Sequence, residues 1–243
     1  MPTTLCLDFG NTRLKWAFFS DGNIGETGVF GKSLLEELKI CLETHRPERS
    51  ILSSVINHPE SLEEMLKSRT HFHKLDHHSR LPITTPVGKP ETIGADRLSL
   101  VVAASHDFPD NNNLVIGLGS AITYNYINRF RQFIGGSISP GMEMRFRSLQ
   151  TFTAKLPLVK PHWNFPLAGY DTKTNIQSGV IFGIAKEMDG VIEAYAARYS
   201  NLHVLMTGGD AQYFRPFLRN PITEDPDLIF KGLYLISEYN IAP

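Results

Sequence analysis

An excess of charge of either sign is missing from this 243-residue chain: 24 Lys and Arg stand against 25 Asp and Glu, for a net charge of −1. With no basic field and no acidic tail, nucleic acid is excluded as an expected partner. Cysteine is scarce. Cys6 and Cys41 are too few for a disulfide framework or a Cys-rich zinc site, and Cys6, inside an apolar run, reads as a buried small hydrophobe. No apolar run is long enough to span a membrane, and no basic leader precedes one. The expectation is a cytoplasmic protein with no membrane partner. Three enzyme signatures are also missing: the G-x-x-x-x-G-K-[ST] loop, G-x-G-x-x-G after a strand, and a Ser-centred nucleophile elbow. Their absence weighs against Walker-type NTPases, Rossmann oxidoreductases and α/β hydrolases. His71, His73, His77 and His78 cluster without the spacing of a zinc signature, so a solvated histidine-rich loop is expected there.

What is present starts at Asp8-Phe9-Gly10-Asn11-Thr12-Arg13-Leu14-Lys15. An apolar run ends in an acid, small polar residues follow, and a second apolar run begins. This reads as a β-hairpin with a tight turn. Backbone N–H groups in such a turn can cradle phosphate oxygens, and the adjacent acid can hold Mg²⁺ directly or through water. The same pattern fits an ordinary hairpin. A second, imperfect copy follows at Gly117-Leu118-Gly119-Ser120-Ala121-Ile122-Thr123-Tyr124-Asn125. There Gly119 matches Gly10, Ser120 matches Asn11, and Gly117 stands where Asp8 does. The interval suits one duplication rather than a repeat array.

The remaining pattern alternates strands and helices. Leu5–Leu7, Leu14–Phe19 and Gly28–Phe30 predict a meander. Leu34, Leu35, Leu38 and Leu42 predict a helix. Ile51–Val55 predicts a strand and Glu60–Arg69 a second helix. Pro82, Pro86 and Pro90 mark an extended connector, and a helix follows Gly94. The turn-rich 107–113 segment divides the chain into expected domains at 1–110 and 111–243. The second half repeats a meander to Phe133. A loop at Gly135–Gly141 then leads into a helix over 142–152. Asp171 or Thr172 opens a long helix running toward Tyr199, and a strand at Leu202–Met206 ends in Thr207-Gly208-Gly209-Asp210. Gly94-Ala95-Asp96-Arg97 puts an acid and a guanidinium at a helix start. They suit a base for a hydroxyl proton beside a cation for an anionic substrate, or simply the first-turn acid that the macrodipole favours.

Seven motifs in order make the chain resemble the type III pantothenate kinases of the acetate-kinase, sugar-kinase, Hsp70 and actin superfamily. They are D-x-G-N-T-x-x-K (Asp8–Lys15), G-x-D-R (Gly94–Arg97), G-[ST]-A-x-T (Gly119–Thr123), G-G-x-I-x-P-G (Gly135–Gly141), T-A-K-L-P (Thr153–Pro157), Gly169–Thr172 and T-G-G (Thr207–Gly209). The resemblance implies an α/β fold of two related actin-like, ribonuclease H-like domains with mixed sheets and an interdomain nucleotide cleft. It implies ATP-dependent phosphorylation of pantothenate by a homodimer with a shared site, using Mg²⁺ and a monovalent cation, K⁺ or NH₄⁺. By position, Asp8–Lys15 and Ser120 would contact ATP, with Asp8 near Mg²⁺. Asp96 would be the general base. Gly94, Ala95, Asp96, Arg97 and Thr172 would bind pantothenate. Two family acids are replaced, by Gly117 at the monovalent-cation position and by Asn125. That leaves open a second reading, a nucleotide-binding paralogue with a regulatory role.

Overall fold

The computed structural model describes residues 3–85 and 88–241, so Pro86 of the expected connector lies outside the described residues. The first half begins with β1 (Thr3–Phe9), β2 (Leu14–Ser20) and β3 (Asn23–Phe30), the expected meander with longer strands. Helix α1 (Leu34–His45), strand β4 (Arg49–Ser54), helix α2 (Glu60–Arg69), strand β5 (His71–Lys74) and helix α3 (Ala95–Asp107) follow. The strands order as β3-β2-β1-β4-β5. β1 runs antiparallel to β2 and parallel to β4, which runs parallel to β5. Side chains alternate across a strand, so Leu5, Leu7 and Phe9 share one face of β1. They pack with Leu38 and Leu42 of α1 and Leu62 and Leu66 of α2.

The second half repeats this plan with β6 (Asn112–Leu118), β7 (Ala121–Ile127), β8 (Phe133–Pro140), helix α4 (Met142–Thr151), and then β9 (Leu202–Gly208) and β10 (Thr223–Glu224). Its sheet reads β8-β7-β6-β9-β10, the same order as the first. β6 is again antiparallel to its hairpin partner and parallel to β9. A shared strand order with the same directions is what a duplicated unit leaves behind.

Four sequence expectations differ from the structure. The chain forms two compact units, and the residues from Asp227 onward belong to the first, together with those up to Pro109 and Phe130–Ile134. The turn-rich break near residue 110 predicts instead that everything after it lies in the second domain. The cause of the difference is α8 (Leu228–Ile241), whose Leu228, Leu233 and Ile236 are buried. Tyr234 of this helix stacks on Phe19 at 4.7 Å between ring centroids, and Glu238 accepts from Arg49 at 2.6 Å. Burying each such leucine contributes about 1.5–3 kcal/mol.

The glycine-rich 135–141 segment, expected as a loop, is largely strand β8. Its Ile134 and Ile138 are exposed, and backbone pairing in the sheet rather than burial makes it a strand. His71 and His73, expected in a loop, lie on β5, because pairing with β4 needs no apolar side chain. His73 Nε2 also lies 2.8 Å from Ser79 Oγ. Finally, the long helix divides into α5 (Thr172–Gln177), a π turn at Ser178–Phe182, and α6 (Gly183–Ala196). A last short helix, α7 (Ala211–Phe214), follows β9 as expected.

Candidate active site

In the first unit the Asp8–Lys15 stretch is the β1–β2 hairpin. Asp8 and Lys15 are register partners, and Phe9 closes the strand in the core. The Gly10 N–H donates to the Arg13 carbonyl at 3.1 Å, which leaves Asn11, Thr12 and Arg13 exposed at the tip. Directly opposite residues point to the same face of a sheet. The Asp8 carboxyl therefore shares a face with Lys15 across the hairpin and with Ser53, its register partner on β4. This is the face away from the Leu5–Leu7–Phe9 core.

Asp96 is on the first turn of α3, after the N-cap Gly94. Its Oδ1 folds back against the place where a side chain on Gly94 would begin, so any larger residue there would displace the carboxyl. Ala95 and Arg97 flank it on the same turn, and the Arg97 guanidinium stands 5.5 Å from the centre of the Phe133 ring.

Asp8 feels the charge of Asp96. Burial pushes the Asp8 carboxyl up to about 7; Lys15 pulls it down and Asp96 pushes it further up. Burial also raises Asp96, against the opposing Arg97 backbone N–H and charge. Two half-buried carboxylates, one of them raised further by the charge of the other, suit a proton acceptor beside a cation-binding acid. Among the described residues no group of three or more His, Cys, Asp and Glu side chains could hold a metal by itself. One carboxylate completed by water and substrate phosphates is, however, the usual Mg²⁺ arrangement in kinases.

The raised Asp8 carries a stability consequence. Its folded value lies above its ordinary one, so the folded state holds a proton that the unfolded chain has released. Stability therefore falls as pH rises from about 4 to about 7 and is level above that, by at most about 4 kcal/mol. Asp8→Asn should abolish this slope, making the variant more stable than the parent at pH 8 and equal to it near pH 4. Denaturant melts at the two pH values check this.

In the second unit the corresponding turn is Gly119-Ser120, between β6 and β7, with the Gly119 N–H donating to the Ala121 carbonyl at 3.1 Å. Two further segments close on it. The Gly141 N–H, at the start of α4, donates to the Ser120 carbonyl at 3.1 Å. Gly208, at the end of β9, adopts φ +110°, and a Cβ there would collide with the Leu118 carbonyl. The loops after β6 and β9 and the helix start after β8 thus gather at one end of the sheet, where phosphate-binding turns are built.

Gly117 lies in mid-strand between its register partners Thr123 and Thr207. Asn125 is fully buried, and its Nδ2 donates to Thr123 Oγ1 at 3.0 Å and to the Val115 carbonyl at 3.2 Å. Thr172 is separate from the Gly119–Ser120 turn. It opens α5 behind the cap Asp171 and lines a groove with Arg145, Leu149, Leu156 and Ile176. Arg145 is fixed there by Glu187 and by the Pro140 carbonyl, which it reaches at 2.8 Å. No sequence motif singles out Arg145 or Ser53. Ser53 has one legible signal, a hydroxyl at the inward position after Ile51 in an apolar strand.

The family model of type III pantothenate kinases matches residues 4–194. A type III pantothenate kinase of Cytophaga hutchinsonii is 40% identical over 98% of this chain and 99% of its own. Among solved structures, a Baf family protein of Campylobacter jejuni aligns with a TM-score of 0.60 at 24% identity, covering 97% of this chain and 98% of its own. A glucokinase from an Antarctic psychrotroph aligns at 0.50 and 11% identity, over 98% of this chain and 99% of that one. These likenesses show the same two-unit α/β fold in solved structures. With a relative this similar from end to end and the family's motifs on the matching turns, the chain belongs to the type III pantothenate kinase family.

Proposed function

We propose that the protein phosphorylates pantothenate to 4'-phosphopantothenate with ATP, the first step of coenzyme A biosynthesis, in the cytoplasm. The observation that carries this reading is the pair of half-buried acids in the first unit, Asp96 at the start of α3 and Asp8 at the β1–β2 turn, each raised by its surroundings and Asp8 further raised by the charge of Asp96. Asp96 accepts the proton of the pantothenate primary hydroxyl as its oxygen attacks the γ-phosphorus in line and ADP leaves. A pKa raised by burial above the ordinary carboxylate value makes it a better base than an exposed carboxylate. Arg97 offsets the substrate's negative charge, with Gly94 and Ala95 lending backbone contact. The Asp8–Lys15 turn holds ATP phosphates, as does the Ser120 turn of the second unit. Such a reaction asks the protein mainly for positioning and charge neutralisation. Mg²⁺, when bound, supplies that neutralisation on the phosphates, with Asp8 as its acid.

The monovalent cation fits less well. Gly117 brings no side chain, and the Asn125 amide donates to Thr123 rather than presenting a charge. A neutral site of this kind does not hold a cation by charge, so the proposed reaction proceeds without one. This also bears on the regulatory alternative: the altered positions are in the second unit's strands, while the acids that the chemistry needs are in the first.

The functional unit proposed is a homodimer of two-domain chains, with Thr172 completing the partner's pantothenate site. The second unit leaves the large apolar side chains of Phe152 and Tyr170 exposed, at 84% and 82%, surface that a second copy would cover. Mixing inactive Asp96→Asn with inactive Thr172→Val protein should restore turnover through mixed dimers. Continued inactivity, with light scattering at monomer mass, would sink the shared site. No described helix is long and apolar enough to cross a membrane.

A further inference from the structure

Two side-chain hydroxyls on the Asp8 face of the first sheet, those of Ser53 and Thr4, are buried without any hydrogen-bond partner. Ser53 is fully buried on β4 in register with Asp8, and Thr4 is fully buried four residues earlier on β1 in register with Arg49. A buried hydroxyl without a partner is a cost, and such atoms in native proteins call for a reason. Thr4 has no carboxylate in register. Ser53 has one, the acid that the proposed function places beside the metal.

We propose that Ser53 is a positioning residue for Asp8. Its hydroxyl donates to one oxygen of the Asp8 carboxylate when the nucleotide site is loaded and so fixes that side chain's rotamer. The chemistry favours this pairing. A hydroxyl can rotate its proton toward whichever acceptor arrives, and a hydrogen bond to a charged acceptor is stronger than one to a neutral group. Lys15, the partner of Asp8 across the hairpin, sits on the other neighbouring strand. The carboxylate is thereby flanked by a cation on one side and a neutral donor on the other. Such outer partners orient metal-facing groups, and removing them typically weakens metal binding ten- to a hundredfold.

This inference rests on the reading of Asp8 as the metal-side acid, and the test separates the two. ADP binding is measured by calorimetry with and without Mg²⁺ on the parent, Ser53→Ala, Ser53→Thr and Thr4→Val proteins. The parent should bind ADP more tightly with Mg²⁺. Ser53→Ala should lose about tenfold of that enhancement while its metal-free ADP affinity stays unchanged. In turnover it should lose about tenfold in kcat with the pantothenate KM unmoved. Ser53→Thr should restore both, and Thr4→Val should match the parent. A full Mg²⁺ enhancement in Ser53→Ala would overturn the role of Ser53 alone. Equal losses with and without metal, or a matching loss in Thr4→Val, would reduce it to packing. A parent protein indifferent to Mg²⁺ would overturn the metal reading of Asp8 and the role of Ser53 with it.

Discussion

Asp96→Asn lowers kcat by about 10²- to 10⁴-fold, the range that general-base removal produces, while the protein stays folded and still binds ATP. The amide keeps the size and can occupy the same place over Gly94, so the loss is chemical rather than steric. Stability should not fall. Asp96 is a carboxyl that burial raises and that repels Asp8, and a neutral amide relieves both. A raised acid destabilises the fold progressively as pH climbs from its ordinary value toward its folded one, so the variant should melt no lower than the parent at pH 8. Steady-state kinetics with a thermal melt checks both halves. Turnover within about threefold of the parent, far short of what losing a general base costs, would remove Asp96 from the mechanism.

Gly117→Asp has the second largest expected effect, and it acts on stability before activity. The new carboxylate would lie mid-strand between Thr123 and Thr207, at a half-buried position without a cationic partner in register. Leaving one charge unpaired in such a place costs about 3 kcal/mol or more. For a chain of this length that amounts to a drop of about 6–12 °C in Tm. The drop should be full in choline buffer and partly regained with K⁺ or NH₄⁺, because an anion restores the electrostatic half of a cation site. The parent, by contrast, should turn over at the same rate in choline, Na⁺, K⁺ and NH₄⁺. A parent rate that rises about tenfold with K⁺ would show that neutral oxygens suffice to hold the ion. Gly117 and Asn125 would then no longer count as the loss of the cation position.

Much of this fold was legible because its signals are local. Short apolar runs marked β1, β2, β6 and β7, and leucines at helical spacing marked α1. The turns at Gly10 and Gly119 announced themselves through small polar residues between apolar runs. What stayed hidden depends on partners far along the chain. β5 is a strand because β4 lies beside it, and nothing in His71-Phe72-His73-Lys74 carries that information. The final helix joins the first unit because Tyr234 meets Phe19 and Glu238 meets Arg49, contacts between residues far apart in the chain. The site divides in the same way. Asp8, Asp96 and Ser120 could be named from motifs, but the raising of Asp8 by burial and by Asp96, and the unpartnered hydroxyl of Ser53 in register with it, emerge only from the folded chain. The loss of the acid at Gly117 was visible in sequence. The inward-donating amide of Asn125 was not.

The most direct measurement is product formation. Purified protein is incubated with MgATP and pantothenate in potassium-free choline buffer and again with K⁺, and phosphopantothenate and ADP are quantified by mass spectrometry. Equal amounts of the two products, formed at the same rate in both buffers and absent with Asp96→Asn, are expected. ATP binding without phosphopantothenate in either buffer would contradict the kinase assignment and leave the regulatory reading in its place.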